Sequence, residues 1–204
     1  MRATAAYAEL LQLNRPVVRT SEAAARLRLP KYAATKILKQ LADDGVVVLL
    51  RRGLWALTRQ VDPYTLPEYL TAPYPSYIST WTALYQHGMI DQVPRSIYVA
   101  SLDRARRLHT PVGLYVIQHV GPAVFGGFRS RNGVRMATPE KALFDAVYIT
   151  GARGVRFTYL PELELAPSFR RGEIRRWVRR IPAKRLRTIV TNRLEEILSQ
   201  VEQG

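Results

Sequence analysis

The chain has 204 residues, 47% of them hydrophobic, which is enough to bury the cores of a small domain and a larger one. It contains no cysteine, which excludes disulfides and thiolate metal sites. Its 31 lysines and arginines outnumber 16 aspartates and glutamates, giving a formal charge of +15 that favours a nucleic-acid partner. No apolar run approaches the ~18 residues of a membrane span, and no secretory signal is evident. We therefore expect a cytoplasmic protein that does not associate with membranes.

The charge is concentrated at the two ends of the sequence. Residues 1–62 carry 11 basic and 5 acidic side chains, and residues 171–204 carry 9 and 4. Residues 63–120 are nearly neutral, with 4 and 3. The two ends are therefore the first places to look for a nucleic-acid surface.

The first 29 residues predict two short helices joined by an extended link. The helices are Thr4–Leu13 and Thr20–Leu27, the second opening on Thr20 as an N-cap type residue, and the link is Pro16–Val18. The expected core positions are Ala5, Leu10 and Leu11 in the first helix and Ala23, Ala24 and Leu27 in the second.

A third helix is expected from Pro30 to about Asp44, with Gly45 ending it. One side is apolar and the opposite side is cationic, at helical spacing. The apolar side consists of Ala34, Ile37, Leu38 and Leu41, and the side expected to face DNA consists of Lys31, Tyr32, Thr35, Lys36 and Lys39.

Two strands, Val46–Leu50 and Leu54–Thr58, are predicted next, closed by a turn that carries Arg51 and Arg52 before Gly53. The order of helix, short turn, cationic helix and arginine-tipped hairpin predicts a winged helix-turn-helix DNA-binding domain over residues 1–62. The alternative is an ordinary helix pair whose charged face is simply solvated. The complete ordered set favours DNA binding, with Arg51 and Arg52 as further DNA contacts.

Prolines between Gln60 and Pro75 indicate a link to a second domain spanning residues 63–204. Mixed helices and strands predict an α+β fold for that domain. The expected elements are helical turns in Tyr64–Leu70, a helix at Ser79–His87, strands at Ser96–Ser101, Gly113–Val120 and Gly133–Ala137, and a helix that starts at Thr138-Pro139-Glu140 and runs to Tyr148. His87 is interpreted as a helix end, Asp145 as a solvent-facing charge or an arginine partner, and Tyr74, Tyr77 and Trp81 as core residues or interface anchors.

Two helices are expected in the basic tail, at Gly172–Arg180 and Ala183–Gln200. Ile174, Trp177 and Val178 form an apolar seam in the first of them. The remaining face carries Arg171, Arg175, Arg176, Arg179 and Arg180. This pattern fits a packed terminal helix with solvated arginines, and it also fits a second nucleic-acid surface.

An enzymatic function finds little support in the sequence. A restriction-type nuclease needs an acidic residue two positions before a lysine, and no lysine here has one. Glu162 and Glu164 could share a strand face and bind a divalent ion, but no third ligand accompanies them. The three histidines have no metal-ligand spacing, and no phosphate-binding loop with its lysine occurs. We therefore expect no catalytic residue, no metal and no cofactor.

The expected N-terminal winged helix, followed by three later segments, resembles the AbiE-type antitoxins of type IV toxin-antitoxin systems. The three segments are Tyr77-Ile78-Ser79 with Ala83-Leu84 and His87-Gly88, then Ile97-Tyr98-Val99, then Ala137-Thr138-Pro139-Glu140-Lys141-Ala142-Leu143 with Asp145. The resemblance covers nearly the whole chain. It implies an N-terminal domain that represses its own operon, a C-terminal domain that counters the toxin, and a nucleotidyltransferase-like toxin as functional partner. Two alternatives stay open: a winged-helix regulator whose second domain dimerises or senses a ligand, and a metal-dependent nuclease.

Overall fold

The computed structural model describes residues 2–152 and 163–203 and has an α+β fold. By its contacts the chain divides into two compact units. The first comprises residues 1–69 with 109–113, and the second comprises residues 70–108 with 114–204.

In the first unit, residues 3–56 form three α-helices and a three-stranded antiparallel sheet. The sheet has the order β1-β3-β2, so the last strand in sequence lies in its middle. In chain order the elements are α1 (Ala3–Leu11), β1 (Val17–Arg19), α2 (Thr20–Leu27), α3 (Lys31–Asp43), β2 (Val48–Arg51) and β3 (Leu54–Ala56). The segment expected as an extended link is thus a sheet strand, in which Val17 pairs with Ala56.

Three expectations about the core of the first unit were wrong. Ala6 and Leu10 are the buried residues of α1, while Ala5 is exposed and Leu11 is 48% exposed, because the inward face follows an i, i+4 spacing from Ala6. Thr20 is not the N-cap of α2. It is buried, and its hydroxyl accepts a hydrogen bond from Trp55 Nε1 at 2.9 Å.

The hairpin also begins two residues later than expected. The amides of Val46 and Val47 both donate to the Leu41 carbonyl, at 2.8 and 3.3 Å, so they close the end of α3 and cannot start a strand. Gly45 makes that closure possible with a φ of 71°. The strand β2 then pairs with β3 from Val48.

The second unit is built on a six-stranded mixed sheet with helices. Its elements are β4 (Ser76–Ile78), α5 (Thr80–Gln86), β5 (Ile97–Ser101), β6 (Arg106–Thr110), β7 (Gly113–His119), β8 (Phe128–Arg131), β9 (Val134–Ala137), α6 (Pro139–Ala152), α7 (Arg171–Arg179) and α8 (Lys184–Gln203). A 3-10 turn at Pro63–Thr65 and helix α4 (Pro67–Thr71) precede them, and a 3-10 turn at Pro122–Val124 follows β7.

The strand order is β6-β7-β5-β4-β9-β8. Strand β4 lies antiparallel to β5 and parallel to β9, and β5 lies parallel to β7. The strands β4, β6 and β8 were missed in the sequence. The first has three residues, and the other two lie at the sheet edges, where arginines and polar residues replace the apolar alternation of a half-buried strand.

Helix α6 forms the centre of the second unit. Nine of its 14 residues are buried, and it packs against α5, α7 and α8. A helix enclosed on nearly all sides shows no single apolar stripe. Any polar side chain that points from α6 into this core must find its partners there.

Candidate nucleic-acid interface and a buried polar cluster

Helix α3 separates an apolar face from a cationic one. Ala34 and Leu38 are 0% exposed and Leu41 is 2% exposed, whereas Tyr32 on the other side is 78% exposed. Lys31, Lys36 and Lys39 are exposed on the same side as Tyr32. The structure therefore brings the predicted groove-facing residues together on one solvent-facing surface.

Thr35 takes a more constrained position on that surface. It is half-buried, and its hydroxyl donates to the Lys31 carbonyl at 2.8 Å. The oxygen keeps lone pairs that can accept a hydrogen bond from outside. Since its own proton is used, Thr35 is set up as an acceptor.

The turn between α2 and α3 fixes how α3 is presented. Arg28 adopts a left-handed conformation with a φ of 52°, and the Leu29 amide donates to the Ala24 carbonyl at 3.0 Å. This closes α2 and redirects the chain into Pro30, whose preset φ suits the entry to α3.

The hairpin tip is attached to the start of α2. The amide of Thr20 donates to the Gly53 carbonyl at 3.0 Å, and Gly53 turns with a φ of 77°. Arg52 is exposed in the turn, and Arg51 is half-buried at the end of β2. The tip is thus held by the same helix that precedes α3.

The five tail arginines do not share one environment. Arg171 donates to the Leu198 carbonyl at 3.3 Å, Arg176 pairs with Glu173 at 2.7 Å, and Arg180 stacks 4.5 Å from the centre of the Trp177 ring. Arg175 and Arg179 are exposed, and neither forms an ion pair among the described residues. Of the predicted basic surface, these two residues are the ones most available to a partner.

A fully buried polar cluster lies beneath the second unit's sheet and helices. Lys141 and Asp145, one turn apart on α6, form an ion pair with both side chains 0% exposed. The second carboxylate oxygen of Asp145 accepts hydrogen bonds from Ser79 at 2.7 Å and from Tyr77 at 2.9 Å. Asp145 is therefore neither solvent-facing nor an arginine partner, and Tyr77 is no exposed anchor, because the carboxylate needs these donors inside the core.

Aromatic rings enclose the ammonium group of this pair. Lys141 Nζ lies 4.7 Å from the ring centre of Trp177, 4.9 Å from that of Phe144 and 5.4 Å from that of Tyr77. The negative ring faces replace part of the lost hydration of the cation. Burial nevertheless lowers the pKa of Lys141, and the Asp145 carboxylate opposes that shift.

The tyrosine of the cluster stays protonated. Burial and then the nearby Asp145 charge raise the pKa of Tyr77, so its hydroxyl remains a donor to the carboxylate. Among the described residues, no buried side-chain nitrogen or oxygen lacks a hydrogen-bond partner. A satisfied cluster with no exposed member fits a structural role, since no substrate atom can reach it.

The other residues singled out in the sequence have structural positions of their own. His87 follows α5, and its Nε2 lies 2.7 Å from the Ala137 carbonyl, so it links the end of a helix to β9. Tyr74 is 48% exposed, and Trp81 is half-buried against the core. Glu164 is exposed, and Glu162 lies outside the described residues.

Two further observations concern metals and membranes. Within the part of the chain that the structure describes, no three histidine, aspartate or glutamate side chains gather as a metal site would require. None of the described helices combines the length and the apolar character needed to cross a bilayer.

The chain matches no protein-family model and has no significant match among curated proteins.

The buried cluster generates the first prediction. Asp145→Asn or Lys141→Met should each lower the free energy of unfolding by about 3 to 5 kcal/mol, because each leaves an unpaired buried charge. The double variant should lose clearly less free energy of unfolding than the sum of the two single variants, since it leaves no buried charge without its partner. Urea unfolding followed by circular dichroism measures all three.

The matched control is Glu196→Gln, which breaks the exposed pair that Glu196 forms with Arg193 at 2.7 Å. It should change stability by less than about 1 kcal/mol. Additive costs for Lys141→Met and Asp145→Asn would contradict the pairing described here.

Proposed function

We propose that the protein is a winged helix-turn-helix repressor of its own operon and the antitoxin of a type IV toxin-antitoxin system. It binds double-stranded operator DNA, with inverted repeats as the expected arrangement, and it acts in the cytoplasm without a cofactor or catalytic chemistry. Its functional partner is a nucleotidyltransferase-like toxin.

One observation carries the DNA-binding part. The α3 surface has three exposed lysines and a tyrosine that is 78% exposed, directly opposite a buried apolar face. A single exposed tyrosine is common on protein surfaces, but beside three lysines its hydroxyl can contact the phosphate and sugar oxygens of DNA. The element order of the first unit, with a two-strand hairpin after α3, supports the winged-helix interpretation.

The antitoxin part is supported by the sequence resemblance. The fold adds one consistent feature: the segments around Tyr77-Ile78-Ser79 and Lys141 to Asp145, which carry the resemblance, meet in the buried cluster. Their spacing in the sequence therefore has a physical reason in the second unit. The buried cluster explains this spacing through the folding of the second unit. Toxin neutralisation is tested separately, by growth rescue.

The second prediction concerns the α3 surface. The double variant Thr35→Ala/Lys36→Ala should weaken operator binding by about 1 to 3 kcal/mol for each base edge that the two residues read. Electrophoretic mobility shift with operator and random duplexes measures the loss. Arg104→Ala, an exposed arginine of the second unit, is the control. An unchanged operator affinity would remove α3 from the recognition role.

The third prediction concerns the hairpin tip. Replacing Arg51 and Arg52 by alanine should weaken binding to operator and random DNA alike, because arginines at a hairpin tip suit phosphate contact. The slope of log affinity against log salt should fall by about 0.9 for each lost contact. Arg59→Ala, exposed just after the hairpin, is the control. A loss confined to operator DNA at constant salt slope would instead make the tip a sequence reader.

The fourth prediction separates repression from neutralisation in the full-length chain. Cells should carry the toxin gene and the Thr35→Ala/Lys36→Ala variant under independent inducible promoters that lack the operator. The variant should rescue growth as well as the unaltered chain, because the α3 surface serves DNA alone. Rescue lost with this variant, at equal protein levels, would mean that protection requires the DNA-binding surface. Absence of rescue by the unaltered chain would reject the antitoxin proposal while leaving the repressor proposal intact.

A further inference from the structure

Helices α7 and α8 form a hairpin with an open groove along it. The groove has a volume of about 370 Å³ and runs between the two helices within the second unit. Helix α7 has nine residues, so the groove is about 14 Å long, or some two and a half helical turns. Its lining includes neither the Lys141–Asp145 pair nor the side chains that surround it.

The floor and the rim of the groove differ in chemistry. The buried side chains of Ile174, Leu194 and Leu198 and the half-buried Val178 supply an apolar floor. On the α7 side, Arg171, Arg175 and Arg179 follow one another at intervals of one helical turn along the rim. A surface used for phosphate alone has no need of an apolar floor beside its cations.

The two rims also carry opposite charge. The α8 side presents Glu195 between Thr191 and Ser199. Arg175 and Arg179 are exposed without an ion pair among the described residues, and Arg171 joins the two helices at one end through the Leu198 carbonyl. The groove is therefore polarised across its width, cationic on α7 and anionic on α8.

We propose that this groove docks an acidic amphipathic helix of a protein partner. The apolar side of that helix lies on the floor, spaced at i, i+3 or i+4, and i+7, and its carboxylates face Arg175 and Arg179. The edge beside Glu195 is neutral or basic. Charge complementarity selects the occupant. A basic helix would be repelled by Arg175 and Arg179, which form no ion pair among the described residues, and an uncharged helix would give these two guanidinium groups no charged partner. The proposal is independent of DNA binding and of the antitoxin function.

The probe is a synthetic, fluorescently labelled helical peptide with leucines at those positions and glutamates on one flank. A second peptide replaces every glutamate by lysine, and a third is a scrambled form of the first. Fluorescence anisotropy with the full chain should show binding of the acidic peptide alone. Equal binding of the lysine peptide, or no binding of the acidic peptide, overturns the proposal.

Variants then place the binding in the groove. Arg175→Glu/Arg179→Glu should weaken the acidic peptide at least tenfold. The control Lys184→Glu/Arg185→Glu removes the same charge from the exposed first turn of α8, and it should change affinity less than twofold. Glu195→Lys should strengthen binding. Equal losses in the two double variants would reduce the effect to net charge and overturn the proposal.

A third variant keeps the test decisive if the charge reversals disturb folding. Ser199→Trp leaves the charge unchanged and places an indole at the exposed edge of the groove. The indole should obstruct the peptide and lower its affinity at least tenfold. Unaltered peptide affinity in this variant overturns the proposal. The last measurement uses random-sequence duplex DNA as a competitor. If DNA displaces the peptide, and if DNA affinity is lost in Arg175→Glu/Arg179→Glu but not in Lys184→Glu/Arg185→Glu, these arginines bind nucleic acid and the proposal is overturned.

Discussion

The second unit depends on an ion pair that has no access to water. A lysine and an aspartate at 0% exposure are stable in a core only when each finds several partners, and here Tyr77, Ser79 and three aromatic rings provide them. Because those partners come from β4, the start of α5, α6 and α7, the pair fixes four elements with respect to one another. The constraint extends to Gly127, where a side-chain carbon would lie 2.9 Å from Lys141 Cγ and 2.5 Å from the Trp177 ring.

In the first unit the corresponding constraint is the start of α2. Thr20 donates its amide to Gly53 at the hairpin tip and accepts, through its hydroxyl, the indole proton of Trp55 in the central strand. The same helix ends at Leu27, is closed by the Leu29 amide, and directs the chain into α3. One short helix thus positions both surfaces that we propose as DNA contacts. The α3 face and the hairpin are therefore coupled although they lie in separate elements.

Sequence patterns predicted the elements that have a clear periodicity. Helices α2 and α3 lie within a residue or two of their expected bounds, because their apolar residues recur at helical spacing and α3 also carries cationic residues on its opposite side. The exposed face of α3 was identified for the same reason. Strands β6 and β8 were missed because edge strands carry arginines where a buried strand would be apolar. The roles of Thr20 and Asp145 were misjudged, since hydrogen bonds over 35 and 66 to 68 residues leave no local pattern.

The net charge of +15 also combines surfaces with different chemistry. The lysines of α3 and Arg52 stand on solvated elements without an apolar floor, an arrangement that suits a phosphate backbone, where affinity depends on salt. Arg175 and Arg179 border buried aliphatic side chains and face Glu195 across a groove. In that setting a guanidinium group combines a charge contact with packing of its aliphatic stem, which favours a folded acidic ligand over a polyanion. The number of cations in the tail therefore says less about its partner than the side chains between them.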